Sequence, residues 1–308
     1  MTVIHNLFFR RLHWFFLIVC LTLSFGFIEP AGLRSTDAQE ATKSCLWAVQ
    51  SETNTVYLLG SLHVLKPDAY PLSTAIEGAY AASQKIVFET DLAAMTDTDF
   101  QMKMLTAGLY PEGQSLFDNL PGGTRQALEK KIAELGMPKE QFARFKPWFM
   151  AVTLSALELQ RMGFNPAYGI DMYFYGKAKQ NQKKIESLEP IEFQLDLLSN
   201  MNPQKQIAFL EQTLKDLELV TELAQDMVKF WQAGESDKLF RLLYKSFKNH
   251  PQIYERLLIQ RNQKWVAQIQ TLLQGTETTL VIVGAGHLVG PNSVVALLEE
   301  KGYSLLQE

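Results

Sequence analysis

An α/β fold, with a mixed central sheet and a large helical insert, is predicted by three observations. Short runs of β-forming residues lie near both ends of the chain, at 56–59, 85–91 and 279–283. Two of these runs close on the same pattern, Tyr57-Leu58-Leu59-Gly60-Ser61-Leu62-His63 and Val281-Ile282-Val283-Gly284-Ala285-Gly286-His287. Between them, about 93–275 is dominated by helical periodicity. The repeated strand-Gly-x-x-His-helix unit suggests a duplicated core, although the two copies share little identity.

Taken in order, residues 46–50 and 56–59 flank a polar turn at 51–55 and read as a β-hairpin. A helix follows over 71–82, with Pro71 near its first turn. Residues 85–91 form a short buried strand that ends in two carboxylates, Glu89 and Asp91. From about 93 to 181 the signal is mostly helical, broken at Pro111, at Pro121-Gly122-Gly123 and at Pro166. A further strand over 183–190 is stopped by Pro190. Residues 204–233 contain neither Gly nor Pro, and their apolar side chains recur every three or four positions, which predicts one amphipathic helix. Residues 252–273 are helical in the same way. Ser293 then caps a helix running to Glu300, and 303–306 closes the sheet.

Composition narrows the function classes. Apolar residues make up 47% of the 308 and charged residues 20%, ordinary for a globular protein. With 29 basic and 33 acidic residues and no basic stripe beyond the first few positions, nucleic acid is not an expected partner. Residues 1–40 differ: Arg10 and Arg11 precede an uncharged run at 14–28, shorter than the ~20 residues of a comfortable membrane span. This is the pattern of an export signal. No Ala-x-Ala follows, and Ser24-Phe25-Gly26 and Thr36-Asp37-Ala38 are the nearest small-x-small sites, so a membrane-associated signal anchor stays open. In either case the arginines stay cytoplasmic and the body, 41–308, is expected outside the cytoplasm. Cys45 is the one cysteine of that body, so it carries no internal disulfide and reads as a small buried residue.

The chemistry rests on the histidines. Of five, only His63, His250 and His287 lie outside the leader, and two of them end the repeated motif. Imidazole is the commonest neutral metal ligand. Two histidines and a carboxylate suit Mn, Fe or Co, leave positions open for water and substrate, and support hydrolysis. Glu89 is the best-placed carboxylate, and Asp91 is a further ligand or a group that orients one. The bland alternative is that His63 and His287 cap strands through backbone hydrogen bonds. His250, in a polar break, reads as a surface residue. Glu189 ends a strand towards the same edge, where capping and catalysis are equally open. Arg261-Asn262 sits within a predicted helix, and a solvated charge is the default there. No G-x-S-x-G elbow, paired CxxC, P-loop or correctly spaced dinucleotide loop is present.

An ordered set of segments resembles the TraB/GumN family. It comprises Val56 to Leu65 with Tyr70-Pro71-Leu72, Val87-Phe88-Glu89-Thr90-Asp91, Gly169-Ile170-Asp171, Ser187-Leu188-Glu189-Pro190 with Gln194, Arg261-Asn262, and Val283 to Pro291. The family includes Tiki-type proteases, described as Mn- or Co-dependent and built on two G-x-x-H motifs with an acidic residue, and pheromone-shutdown proteins. It is distantly similar to erythromycin esterases and haem-binding ChaN-like proteins. The resemblance implies a metal-dependent hydrolase, most plausibly a peptidase, with His63, His287 and Glu89 around a divalent ion (Mn or Co, with Zn or Fe open). On the residues themselves, Glu89 holds the ion and its water, Glu189 or Asp91 serves as base or supports a ligand, and Arg261 stabilises an oxyanion or binds a substrate carboxylate. Asp91, Ser61 and Asn262 are the expected supports of the ligands. The site side chains are expected at the mouth of a cleft. The alternative class is a protein that binds a peptide or haem without turnover.

Overall fold

The computed structural model describes residues 43–248 and 251–308. The expected leader and His250 lie outside the described residues. The chain begins with the anticipated hairpin, β1 (Leu46–Gln50) and β2 (Thr55–Ser61), paired antiparallel from Leu46↔Leu59 to Gln50↔Thr55. Its turn is held by the Ser51 N–H to Asn54 carbonyl bond at 2.9 Å and by the Ser51 hydroxyl on Asn54 Oδ1 at 2.8 Å.

Helix α1 spans Thr74–Ala82; Ser73 caps it by accepting from the Ile76 N–H, so Pro71 stays three residues outside rather than in the first turn. Strand β3 (Lys85–Thr90) follows, then α2 (Thr98–Gly108), α3 (Gly122–Glu134), α4 (Pro147–Arg161) and α5 (Ile170–Gln180). Strand β4 (Lys184–Glu189) returns to the sheet. Next come α6 (Ile191–Ser199), α7 (Pro203–Asp216), α8 (Val220–Gln232) and α9 (Ser236–Phe247). The short α10 (Pro251–Tyr254) runs through a π turn at Glu255–Ile259 into α11 (Gln260–Leu273). Strand β5 (Thr279–Gly284), α12 (Val294–Glu300) capped by Ser293, and β6 (Leu305–Gln307) complete the chain.

Two expectations change. The single helix at 204–233 is two, α7 and α8, parted at Leu217–Leu219. Leu210 and Leu214 on α7 and Met227 and Trp231 on α8 are all buried, so the apolar period runs on across the break. No Gly or Pro marks that break, and a burial pattern alone cannot show it. Helix α9 was not anticipated; it buries Leu239, Leu243 and Phe247 on one side.

The strands form one six-stranded sheet in the order β4-β3-β5-β2-β1-β6. Four consecutive strands from one edge, β4, β3, β5 and β2, run parallel, and β1 and β6 continue the sheet by antiparallel pairing to the other edge. Every residue of β5 is buried, so both its faces are covered, as a central parallel strand requires. The register pairs Ser61 with Gly284 and Thr90 with Glu189, which brings the carboxyl ends of all four parallel strands to one edge. Ligand sites of open α/β sheets gather at such edges. No described helix is long and apolar enough to cross a membrane.

Candidate active site at the carboxyl edge of the sheet

The two Gly-x-x-His loops lie side by side because β2 and β5 are parallel neighbours. Their glycines serve space rather than a turn, since neither Gly60 nor Gly284 has a positive φ. A Cβ on Gly60 would fall 2.5 Å from Cys45 Sγ and 3.1 Å from the Ala285 backbone. Burial pushes the Cys45 thiol up to about 12, only partly offset by the Gly60 backbone, so it fills that gap as a neutral group. A Cβ on Gly284 would sit 3.1 Å from His63 Nε2, 3.5 Å from Glu89 Oε2 and 3.6 Å from His287 Cδ2. The three expected ligand residues therefore do converge, around the backbone of Gly284.

Each histidine is anchored through Nδ1. His63 Nδ1 donates to Asp171 Oδ2 at 2.7 Å, and the Ser61 hydroxyl donates to the same oxygen. Asp171 stands in the first turn of α5, and the Ile170 N–H bonds the Leu62 carbonyl at 3.1 Å, stitching that helix start to the loop. His287 Nδ1 faces Asn262 Oδ1 at 2.5 Å, while Asn262 Nδ2 donates to the Asn292 carbonyl at 2.7 Å. The latter bond sets the amide orientation, so Nδ1 of His287 carries the proton and Nε2 is the acceptor. Burial, then the neighbouring Arg261, hold the His287 pKa well below the ordinary 6.5, so the ring is neutral. An Nδ1 anchored by a dedicated partner, with Nε2 left as the acceptor nitrogen, is the arrangement that metal-binding histidines use.

Arg261 occupies the centre of the cluster and is 2% exposed, against the solvated charge its helical position suggested. It projects from α11 just past the π turn, a break that is frequent at functional sites. Its Nη1 donates to His287 Nε2 at 3.1 Å and to the Leu257 carbonyl at 2.9 Å. Nη2 bonds Glu89 Oε1, and Glu189 Oε1 at 2.6 Å; Nε reaches both Glu189 oxygens at 3.1 and 3.2 Å. The Trp265 ring, one turn on, lies 4.7 Å from the guanidinium carbon and 4.4 Å from the His287 ring centre.

The two glutamates behave differently. Burial works to raise Glu89, but the Arg261 guanidinium first of all, with the Gly284 N–H at 3.0 Å, outweighs it and holds the carboxyl well below the usual glutamate range. For Glu189 burial wins over Arg261, and Glu89 adds to it, so its pKa is raised. Gln194 bridges the pair, its Nε2 donating to Glu89 Oε1 at 2.9 Å and to Glu189 Oε1 at 3.0 Å.

Three expectations need correction. Asp91 is exposed, and its Oδ1 accepts from the Ala93 and Ala94 N–H groups, so it caps a turn and supports no ligand. Strand β3 stops at Thr90, and the alternation that would have kept Asp91 on the side of Glu89 ends with it. The side chains of His63, Glu89, Glu189, Arg261 and His287 are buried in the interior instead of lining the mouth of a cleft. And among the described residues no three His, Cys, Asp or Glu side chains stand ready as they are to hold an ion. Arg261 stands among them: buried carboxylates need a countercharge, and the guanidinium supplies it from within. The donor chemistry still fits a divalent ion, with two Nδ1-anchored imidazoles and an ionised carboxylate around one glycine. Asp171, Gln194 and Trp265 were missed as members of the cluster; the Gly169-Ile170-Asp171 and Gln194 segments were the only signal for two of them.

Fold and site together define an α/β protein with a buried His–Glu–Arg cluster at the carboxyl edge of a mainly parallel sheet. The chain belongs to the TraB/PrgY/gumN family, whose model matches residues 45–307. It is similar to the uncharacterized protein YbaP of Escherichia coli (strain K12), 28% identical over 242 residues that cover 79% of this chain and 87% of that one. It is also similar to Metalloprotease TIKI2 of Xenopus tropicalis, 22% identical over 321 residues, covering 87% of this chain and 60% of that protein. Metalloprotease TIKI1 of Danio rerio is 22% identical over 329 residues, covering 90% and 65%. The chain thus spans less than two thirds of those metalloproteases. No solved structure matches it significantly.

Proposed function

We propose that this protein is a metallopeptidase-like hydrolase. The observation that carries the proposal is the convergence of His63, His287 and Glu89 on Gly284, with both imidazoles oriented by dedicated partners. The similarity to proteins named as metalloproteases supports it. His63 and His287 would hold a divalent ion through Nε2, with Glu89 as the third ligand. Such an ion supplies Lewis-acid polarisation and a bound water of lowered pKa. Mn or Co is the ion that the family resemblance suggests, with Zn or Fe open. Within the chain, Asp171 and Asn262 keep the imidazoles in one tautomer, and burial excludes bulk water. Glu189, a carboxylate paired with Arg261 whose pKa burial raises, is suited to take up a proton as the general base. Arg261 is placed to offset negative charge at the reacting centre.

The test uses the full chain, a peptide library, and incubation with and without chelator. Cleavage should be lost on chelation and restored by Mn²⁺ or Co²⁺. His63→Gln and His287→Gln should each lower it about 100-fold or more, with less metal bound per chain. Because both rings are buried, glutamine is the better probe than alanine, which would open a cavity. Cleavage indifferent to chelator would refute the metal-dependent reading. Metal bound without any cleavage would leave a binding protein as the surviving function.

We propose in addition that the body is exported, supported by Arg10 and Arg11 ahead of the uncharged run at 14–28. A periplasmic reporter fused after Ala41 should be active; activity of a cytoplasmic reporter at that point would reverse the topology.

A further inference from the structure

We propose that Arg261 is the resident countercation of the site, standing where a divalent ion must bind, and that ion binding moves its guanidinium entirely onto Glu189. The inference rests on the metal-binding reading above. The bonds of Arg261 fall into two sets. One set, to His287 Nε2 and Glu89 Oε1, uses the very lone pairs that an ion would need. The other, to Glu189 through Nε and Nη2 and to the Leu257 carbonyl, uses none of them. Giving up the first set while keeping the second is a pivot about the Glu189 pairing, not an extraction of a buried charge.

The remaining groups suit that exchange. Two carboxylates serve one guanidinium in the ion-free protein. With an ion bound, Glu89 would neutralise the ion and Glu189 the arginine, so neither charge is stranded in the interior. Gln194 already donates to both glutamates, at 2.9 and 3.0 Å, and can follow either arrangement. The Trp265 ring at 4.7 Å and the carbonyl of Leu257, within the π turn at Glu255–Ile259, hold the guanidinium at its base. Apparent metal affinity is then the intrinsic affinity scaled by the fraction of molecules in which Arg261 has let go.

The test is calorimetric titration with Mn²⁺ and, separately, Co²⁺, paired with thermal melts of the full chain freed of metal by chelation. Arg261→Gln should bind roughly 10-fold or more tightly than the parent, since the competing charge is gone. It should also show a larger rise in Tm on saturation. Should that variant fail to fold, Arg261→Gln with Glu189→Gln removes the guanidinium and the surplus carboxylate together, and it too should bind more tightly than the parent. Glu189→Gln alone should bind more weakly, roughly 10-fold, because Arg261 then loses the Glu189 carboxylate and leans on Glu89. Equal affinities in the parent, Glu189→Gln and the double variant would overturn the exchange and leave the metal reading standing. Weaker binding by the double variant than by Glu189→Gln would overturn it as well. No binding of either ion by any of these proteins would overturn both.

Discussion

Gly169→Ala is expected to destabilise this protein by on the order of 3 kcal/mol or more, among the largest effects a single methyl can have. A Cβ at this position would overlap the carbonyl of His63, with the carbonyl carbon at 2.6 Å and the Pro166 oxygen at 3.1 Å. The obstacle is backbone, which cannot rotate away as a side chain could. The φ of Gly169 is −62°, so the cost is contact and not conformational strain. The clash also lies where α5 is stitched to the first Gly-x-x-His loop, so relief must pull Asp171 away from His63. Gly176, in the same helix, is exposed and has nothing within 4 Å of its missing Cβ. Gly176→Ala should therefore stabilise by about 0.5–1 kcal/mol through helix propensity alone. Urea unfolding of the two variants beside the parent decides the matter. If the two substitutions have similar effects, His63 is not positioned by close backbone packing against Gly169.

The second large effect is expected from Arg261→Met, studied in chelator. Glu89 and Glu189 would remain in the interior with no cation beside them, and breaking one side of a buried ion pair costs about 3–5 kcal/mol. The pH dependence gives the mechanism a signature. In the parent, Glu89 titrates below its ordinary value near 4.5, so its contribution is present above that pH and is lost as the pH falls. In the variant the attraction is gone and burial alone acts, which raises both carboxyls. A raised carboxyl contributes stability below its unfolded value and loses it as the pH rises through the folded one. The parent and variant stability curves should thus converge on acidification towards pH 4 and part near neutrality. A gap that is constant across this range would show that the loss comes from missing side-chain packing rather than from stranded charge.

Much of the fold was legible because it is written in local chemistry. The hairpin, the buried strands ending at Gly60, Glu89 and Gly284, and the Ser293 cap depend on residues within a few positions of one another. The helical middle was visible as a class but not in its joints. The break between α7 and α8 carries no Gly or Pro, and helix α9 was passed over although its buried face has an ordinary amphipathic spacing.

At the site, the sequence by itself determined which residues could be ligands: the two histidines share a motif and Glu89 ends a short strand, although the fold sets that strand beside β5 and not, as expected, beside the one ending at Gly60. Only the tertiary structure decided what those residues do to one another. Arg261 reads as a solvated helical charge until the fold sets it against Glu89, 172 positions away, and Glu189, 72 away. Asp171 becomes the partner of His63 across 108 positions, while Asp91, much closer in sequence to the ligands, turns to solvent. The physical reason is that the state of a buried charge is set by every group the interior packs around it. Those groups come from α5, α6, α11 and three strands at once, so no window of sequence contains them.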